Sequence, residues 1–328
     1  MNAIVDNTAA THLELVVKQI RMEANGVNSY EFVSPDGSNL PPFTAGAHID
    51  VHVGSGVIRQ YSLCNSPSER HRYMIAVLKD PNGRGGSAAV HETIKVGDRV
   101  RVSVPRNNFE LHPGSAKVVL LAGGIGVTPM KSMAHQLEAQ NIEYQMYYCA
   151  KGPEYAAFQA ELEGLAKSGR VSFHFDGGDP SNKLDIPSIL KNPEGACDLY
   201  YCGPGGFMQA CKEASEHWPS GSVHFEHFKA PVKKETDECS IVGGFIAEIA
   251  STGEKLEVGP SESLAEALNN AGYPVETSCQ SGLCGTCKVR YLAGVVDHQD
   301  FILDDSERPD FLTCCVSRAT SGTLLLDL

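Results

Sequence analysis

The sequence has too little positive charge to suit a nucleic acid. It holds 27 Lys and Arg against 40 Asp and Glu, which gives a formal net charge of −13 at pH 7. This negative field repels polyphosphate, and no run of Lys and Arg along the chain offsets it. Sequence-independent binding to DNA or RNA is therefore not expected.

Long hydrophobic runs are also missing. No window approaches the roughly 18 apolar residues that a membrane helix needs, and residues 1–10 have neither the basic stretch nor the apolar core of a signal peptide. We therefore expect a soluble, cytoplasmic protein with no membrane partner. The chain also lacks a Walker lysine loop and any triad or paired-carboxylate signature. Without a C-x-H or C-x2-H pair, it cannot itself hold a Rieske centre.

The cysteines that are present do not suit disulfide bonding. There are eleven, and five of them follow Thr277. An odd and unevenly placed set does not match the paired framework of a small secreted domain. A different chemistry must explain the C-terminal group.

Changes in pattern divide the chain into three segments. Residues 11–111 contain about six short alternating runs, such as 48–53 and 99–104, which predict a small antiparallel β-barrel. Residues 117–121 then form a continuous apolar run that leads into glycines and a helical pattern. Because this alternation of strand and helix repeats, the second segment is predicted to be a parallel α/β domain.

The third segment follows a charged stretch, residues 229–238, that has almost no large apolar residue and is typical of a linker. Residues 245–249 and 255–258 predict a hairpin, and a helix opened by Ser261 or Ser263 follows. We therefore expect domains at 1–112, 113–229 and 239–328, with a linker at 230–238.

The cysteine loop is the most specific motif. Cys279, Cys284 and Cys287 have the spacing C-x4-C-x2-C, and Cys314 and Cys315 lie near the C-terminus. This is the plant-type spacing for a [2Fe-2S] cluster held by four thiolates. The alternative is a structural zinc site, but zinc loops usually use paired short spacings and this loop lacks the first pair. Adjacent extended residues point to opposite faces, so only one of the last two cysteines reaches the cluster, and periodicity does not choose between them.

Two glycine-rich loops follow predicted strands of the second segment. Residues 122–129 (A-G-G-I-G-V-T-P) join a strand to a helix, with Thr128 as the expected N-cap and Pro129 at the first helical position. Residues 202–206 (C-G-P-G-G) end another strand. At the carboxyl edge of a parallel sheet the two loops are neighbours, and a helix N-terminus there suits a pyrophosphate. The first loop lacks the third glycine of G-x-G-x-x-G, so a plain tight turn is the alternative.

The barrel segment carries two further polar motifs. Residues 59–63 (R-Q-Y-S-L) supply a cation, a phenol and a hydroxyl, and residues 83–87 (G-R-G-G-S) supply backbone donors and a second cation. Together they suit a phosphate and the polar edge of a flat ring. Taken singly, each is better explained as a solvated strand and a glycine turn.

In this order, R-x-Y-S, G-R-G-G-S, A-G-G-I-G-x-T-P, C-G-P and the plant-type cluster loop resemble the phthalate dioxygenase reductase family, within the ferredoxin–NADP reductase superfamily. The resemblance covers residues 11–328. It implies a multidomain fold: an antiparallel β-barrel that binds FMN, an α/β parallel-sheet domain that binds NADH, and an α+β β-grasp ferredoxin domain with a [2Fe-2S] cluster. NADPH is not excluded, because only Glu154 lies near the position where family members often carry an acid.

The resemblance also implies the site residues. The FMN site comprises Arg59, Tyr61, Ser62, Lys79, Arg84, Gly85, Gly86 and Ser87. The nucleotide site comprises Gly123, Gly124, Gly126, Thr128, Cys202, Gly203 and Pro204. Residues 223–228 resemble the end of the family's nucleotide domain, whose aromatic lies close to the flavin; Phe228 is the candidate, and which aromatic stacks is left open. The family's fourth cluster ligand precedes Val-Ser-Arg, which selects Cys315 to join Cys279, Cys284 and Cys287.

The function that the resemblance implies is the reductase component of a Rieske non-haem iron oxygenase or demethylase acting on aromatic compounds. Electrons would pass from NADH through FMN and the cluster to the terminal oxygenase, with no catalytic side-chain acid or nucleophile. A carnitine-type Rieske monooxygenase or a cytochrome P450 is an alternative partner. On the residues alone, a ferredoxin-like carrier or binding protein remains a candidate from a different class.

Overall fold

The structure, a computed structural model, describes residues 12–54, 57–83, 85–193, 197–230 and 243–328. The chain divides into two compact units, Met1–Phe228 and Lys229–Leu328. Of the predicted linker at 230–238, only the first residue lies inside the described ranges. No helix in those ranges combines the length and the apolar character needed to cross a bilayer.

A six-stranded antiparallel sheet forms the first part of the larger unit. Its elements are β1 (His12–Ala24), β2 (Val27–Val33), β3 (His48–Val53), β4 (Val57–Ser62), β5 (Tyr73–Leu78), α1 (Gly86–Thr93) and β6 (Arg99–Ser103). The strand order is β4-β3-β6-β1-β2-β5, and a bridge between Leu63 and Ile75 joins its two edges. Val17, Ile49 and Val102 are fully enclosed between the strands, as the alternating pattern predicts. The sheet therefore closes into the expected barrel.

The second part of the same unit is a five-stranded parallel sheet with helices. Its elements are β7 (Lys117–Gly123), α2 (Val127–Gln140), β8 (Glu143–Ala150), α3 (Gln159–Lys167), β9 (Val171–Phe175), α4 (Ile186–Leu190), β10 (Cys197–Cys202), α5 (Gly205–Ala214) and β11 (Val223–Glu226). The order is β11-β10-β7-β8-β9, with every neighbouring pair parallel. Leu120 and Leu199 in the central strands are fully buried, which accounts for the continuous apolar runs. The loops after β7 and β10 meet at the carboxyl edge.

Helix α2 begins earlier than the sequence predicts. A 3-10 turn at Gly124–Gly126 leads directly into the helix, and Gly126 occupies the cap position. The expected cap, Thr128, therefore lies inside the first turn, where its Oγ1 donates to the Ile125 carbonyl oxygen at 3.0 Å. The prediction that Thr128 is the N-cap is wrong, because the glycines continue the helical path two residues further toward the N-terminus.

The smaller unit packs helix α6 against a mixed five-stranded sheet. Its elements are β12 (Phe245–Ile249), β13 (Lys255–Val258), α6 (Leu264–Asn270), β14 (Lys288–Asp297), β15 (Phe311–Thr313) and β16 (Arg318–Leu326). The order is β13-β12-β16-β14-β15, with β12 and β16 parallel and the other pairs antiparallel. Ser263, not Ser261, caps α6, because Ser263 and Glu266 form a reciprocal capping box. The expected α+β arrangement is confirmed.

Candidate functional site

The C-x4-C-x2-C cysteines lie on a loop whose path requires glycine. Gly282 and Gly285 have φ values of 70° and 71°, in the left-handed region that glycine adopts without strain. A Cβ atom on Gly282 would lie 2.8 Å from Val316 Cγ2 and 2.9 Å from Asp300 Cα. The loop therefore turns back tightly against its neighbours, with no room for a side chain at that point.

The four expected ligand thiols are neighbours. The thiol of Cys284 interacts with that of Cys279, and the thiol of Cys315 interacts with those of both Cys279 and Cys287. The Leu283 amide also donates to Cys279 Sγ at 3.3 Å, and amide donors of this kind stabilise ligand sulfur. The described residues contain no group of three or more His, Cys, Asp or Glu arranged to hold a single metal ion. Four contacting thiols with an amide donor suit the four-thiolate shell of a [2Fe-2S] cluster.

Cys314 and Cys315 have different surroundings. Cys314 is fully buried in the apolar core of the smaller unit, in a cluster with Leu264 and Leu324, and this burial raises the pKa of its thiol to about 12. Cys315 is only partly buried and contacts the loop thiols. The structure thus separates two adjacent cysteines that periodicity alone leaves equivalent.

In the barrel, Arg59 reaches the N-terminus of α1. A Cβ atom on Gly86 would lie 2.1 Å from Arg59 Nε, so the missing side chain at Gly86 leaves the space that the guanidinium group occupies. Gly85 is the N-cap, with a φ of 77° and no side-chain cap. A cation beside the amides of a helix N-terminus suits a phosphate group.

The other residues expected around the flavin phosphate have separate contacts. Ser87 Oγ accepts a hydrogen bond from the Asp80 amide at 3.0 Å. Lys79 forms an ion pair with Glu92 at 2.9 Å, and both side chains are exposed. Arg84 lies outside the described residues. The structure therefore brings Arg59, Gly85 and Gly86 together but directs Lys79 toward Glu92.

Ser62 and Glu226 connect the barrel to the last strand of the parallel sheet. Ser62, at the end of β4, is 5% exposed, and its Oγ donates to Glu226 Oε2 at 3.3 Å. Glu226 as a whole residue keeps some exposure, but its carboxyl group is enclosed. This desolvation raises the pKa of Glu226 to about 8, against the opposing effect of the Ser62 hydrogen bond. At neutral pH this carboxyl group is therefore mostly protonated.

Sequence reasoning missed Glu226, although it lies in a segment that the aromatic residues had already marked. The available signal was an acidic residue at the carboxyl end of a parallel strand, where ligands of such sheets bind. In the β10–β11 pairing, Glu226 lies directly opposite Cys202. Cys202 is fully buried, and this burial raises the pKa of its thiol well above the ordinary value.

The aromatic residues of these motifs differ in their contacts. Tyr61 packs against the barrel core, where burial raises the pKa of its phenol. Phe225 stacks on Tyr201 with ring centroids 5.4 Å apart. Phe228 follows β11 and is 38% exposed. Phe225 is also exposed, at 46%, so the structure leaves open which aromatic contacts the flavin, and Phe228 stays the candidate.

The two glycine loops contact each other directly. A Cβ atom on Gly126 would lie 2.1 Å from the Cys202 carbonyl oxygen, and one on Gly203 would lie 3.0 Å from Gly123 Cα. These glycines therefore allow two loops to approach each other, a constraint that the sequence motif does not reveal. This packing role of the glycines is separate from any role in binding a pyrophosphate.

Two other members of the nucleotide motif have more open surroundings. Gly124 has a φ of 54° and no atom within 4 Å of a Cβ position, so it leaves space for a ligand. Pro204 is the N-cap of α5, and its Cδ would lie 2.9 Å from a Cβ atom on Gly123. The loop edge is thus closely packed on one side and open on the other, as a nucleotide cradle requires.

A closed barrel, a parallel sheet with paired strand-end loops and a three-cysteine loop joined by Cys315 are the parts expected of a flavin and iron–sulfur reductase. The model for the 2Fe-2S iron-sulfur cluster binding domain matches residues 247–320, and that for the oxidoreductase NAD-binding domain matches residues 120–213. The first match falls on the smaller unit, and the second falls on the parallel sheet with its helices.

Several known proteins are similar over almost the whole chain. The tert-butanol monooxygenase / tert-amyl alcohol desaturase reductase subunit of Aquincola tertiaricarbonis is 53% identical, covering 97% of this chain and 96% of that protein. The vanillate O-demethylase oxidoreductase of Pseudomonas sp. (strain HR199 / DSM 7063) is 42% identical, covering 96% and 100%. A solved structure of phthalate dioxygenase reductase is 40% identical with a TM-score of 0.75, covering 97% of this chain and 98% of that chain. An intact type IV self-sufficient cytochrome P450 monooxygenase is 34% identical with a TM-score of 0.84, and this chain spans 41% of it.

The chain belongs to the phthalate dioxygenase reductase family. It is an NAD(P)H-dependent iron–sulfur oxidoreductase that transfers electrons. The cofactors of its family are FMN, NADH and a [2Fe-2S] cluster. Reductase components of this family act with a terminal oxygenase. The expected family, fold class and cofactor set are confirmed.

Proposed function

We propose that this protein is the reductase component of a Rieske non-haem iron oxygenase or demethylase that acts on an aromatic compound. One observation carries the proposal: four contacting thiols occur in the same chain as a phosphate cradle and paired nucleotide loops. Bound FMN would convert the two-electron hydride of NADH into single electrons, and the cluster would pass them on. The proposed modules are residues 1–112, 113–229 and 239–328, in the cytoplasm.

Each group of residues has a defined task in this proposal. Arg59 and the amides of Gly85 and Gly86 bind the FMN phosphate. Ser62 and Glu226 hold a proton between their oxygen atoms at the edge of the barrel, where the flavin ring would lie. Tyr61 and Phe228 would border the flavin ring, Ser87 and Arg84 would complete the phosphate site, and Lys79 would join it by leaving its exposed ion pair with Glu92.

The nucleotide and cluster sites are built in the same way. The amide of Gly124, with Gly123 and Gly126, orients the pyrophosphate of NADH at the start of α2, and NADH is preferred over NADPH. Thr128 and residues 202–204 exclude water beside the nicotinamide. Cys279, Cys284, Cys287 and Cys315 are the cluster ligands.

Glu226→Gln is expected to make stability less sensitive to pH. The pKa of this carboxyl is about 8 in the folded protein against 4.5 when exposed, so the folded state keeps a proton that the unfolded chain loses. The contribution of this carboxyl group to the free energy of unfolding is largest below about pH 4.5. It decreases as the pH rises from there, and it is lost once the pH has passed about 8. The glutamine variant should exceed the wild type by a few kcal/mol at about pH 9, and that excess should shrink as the pH falls. Urea unfolding of both proteins between about pH 5 and 9 measures this difference in the free energy of unfolding. A difference that does not change with pH would contradict the raised pKa of Glu226.

The absorption spectrum of the purified protein tests the cofactor content directly. Flavin and cluster bands should both be present, and anaerobic NADH should bleach the flavin band before the cluster is reduced. A colourless protein that contains zinc would overturn the proposal.

The partner oxygenase is a separate question, because the substrate binds to the oxygenase and not to this chain. The 53% identity to the reductase subunit of a tert-butanol monooxygenase favours a second candidate, an oxygenase that acts on a tertiary alcohol. The likeness to a self-sufficient cytochrome P450 supports a P450 partner as a third. Reconstitution with one purified oxygenase of each kind decides, since productive electron transfer is expected only with the Rieske oxygenase that acts on an aromatic compound.

A further inference from the structure

Lys131 is a buried cation held from both parts of the larger unit. It lies in α2 and is 3% exposed. Its Nζ donates to the Cys64 carbonyl oxygen at 3.0 Å and forms an ion pair with Glu161 Oε2 of α3 at 2.8 Å. It also lies 4.7 Å from the centre of the Phe158 ring. An ammonium group in such a position is costly unless its partners hold it, so this arrangement resists displacement.

The barrel partner of Lys131 directly follows the strand that carries the flavin motif. Cys64 comes two residues after Ser62, the last residue of β4. The next residue of the helix makes a parallel contact, since Ser132 Oγ donates to the Asn65 carbonyl oxygen at 3.0 Å. The first turn of the same helix belongs to the glycine loop. Helix α2 thus connects the end of the flavin strand to the end of the glycine loop at residues 122–129.

Hydride transfer depends steeply on how the two rings are placed. A displacement of about 1 Å between reacting groups costs about a hundredfold in rate. Sliding of the segment that follows β4 relative to α2 would strain the bond between Lys131 and the Cys64 carbonyl oxygen. The Ser132 bond is a neutral hydrogen bond, whereas the Lys131 bond is charge-assisted and therefore stronger.

We propose that Lys131 is a positioning residue for hydride transfer: its bond to the Cys64 carbonyl keeps the flavin strand aligned with the nucleotide-binding helix. This inference rests on the proposed function. Its role is indirect, because its described contacts are with protein groups and it acts through the strand that follows the flavin motif.

Lys131→Met tests the proposal, with Glu161→Gln as the matched control. The methionine keeps most of the length of the side chain but removes the donor to Cys64. The control removes the counter-charge, but its amide oxygen still accepts from the ammonium group, so the donor to Cys64 stays in place. Stopped-flow reduction by NADH should show a limiting rate of flavin reduction lowered about tenfold or more for Lys131→Met, with the dissociation constant for NADH within about threefold of the wild type. The charge-transfer band of the NADH complex should weaken in parallel. Glu161→Gln should keep both.

Hydrogen exchange of residues 63–66 in the resting protein, without NADH, gives a readout independent of activity. Exchange should be faster in Lys131→Met and unchanged in Glu161→Gln. Lys131→Arg, which keeps a charged donor, should restore most of the rate. Equal losses in Lys131→Met and Glu161→Gln, or an unchanged rate with an unchanged band, would overturn the positioning role.

The experiment also covers a variant that does not fold and a wild type that NADH does not reduce. If Lys131→Met does not fold, Lys131→Gln takes its place in the same comparison with Glu161→Gln. If the wild type itself is not reduced by NADH, the proposed function fails, and the hydrogen-exchange comparison still decides whether Lys131 ties the two elements together.

Discussion

Replacing Cys315 with serine is expected to abolish electron transfer through the cluster while NADH-dependent ferricyanide reduction continues. The thiol of Cys315 contacts Cys279 and Cys287, and a hydroxyl group is a much poorer ligand for iron than a thiolate. Reduction of acceptors that need the cluster should fall by about a hundredfold or more. Bound iron and the visible absorption of the cluster should be lost with it, whereas flavin absorption and ferricyanide reduction, which the flavin alone performs, should be kept.

Cys314→Ser is the matched control for that experiment. Cys314 is fully buried against leucine side chains, so a hydroxyl group there should lower the free energy of unfolding by about 1–3 kcal/mol. The cluster and its electron transfer should remain. If Cys314→Ser lost the cluster and Cys315→Ser kept it, the assignment of the fourth ligand would be wrong.

Gly126→Ala is expected to damage both stability and nucleotide binding. The new Cβ atom would lie 2.1 Å from the Cys202 carbonyl oxygen and 2.9 Å from the Gly203 nitrogen. Both are backbone atoms, so the clash cannot be relieved by a side-chain rotation and the two loops must separate. We expect the free energy of unfolding to fall by about 1–3 kcal/mol and the KM for NADH to rise about tenfold, which corresponds to ~1.4 kcal/mol. Urea unfolding and steady-state kinetics measure the two effects.

Gly205→Ala provides the comparison in the neighbouring loop. Gly205 begins α5, and no atom lies within 4 Å of its Cβ position. Alanine suits a helix at least as well as glycine, so stability should stay within about 0.5 kcal/mol of the wild type and NADH binding should be unchanged. If Gly126→Ala behaved like Gly205→Ala, the contact between the two loops would contribute neither to stability nor to NADH binding.

Much of this protein could be predicted because the relevant signals are local. The three loop cysteines lie within nine residues, so their spacing alone indicates a cluster. The alternating runs of the barrel and the continuous runs of the parallel sheet each reflect which faces of a strand are buried. The start of α2 was missed by two residues, because the competition between a glycine cap and Thr128 depends on the preceding 3-10 turn.

The sequence by itself therefore determined the order of the modules, the spacing of the cluster loop and the class of each cofactor. The resemblance already selected Cys315 as the fourth ligand, and only the tertiary structure supplied the physical difference, because Cys315 contacts the loop thiols and Cys314 enters the core. The tertiary structure also brought Ser62 to Glu226 across 164 residues, and Cys64 to Lys131 across 67. The physical reason is that periodicity reports the face a residue occupies on its own element, whereas the protonation of Glu226 and the ion pair of Lys131 arise from groups on other elements.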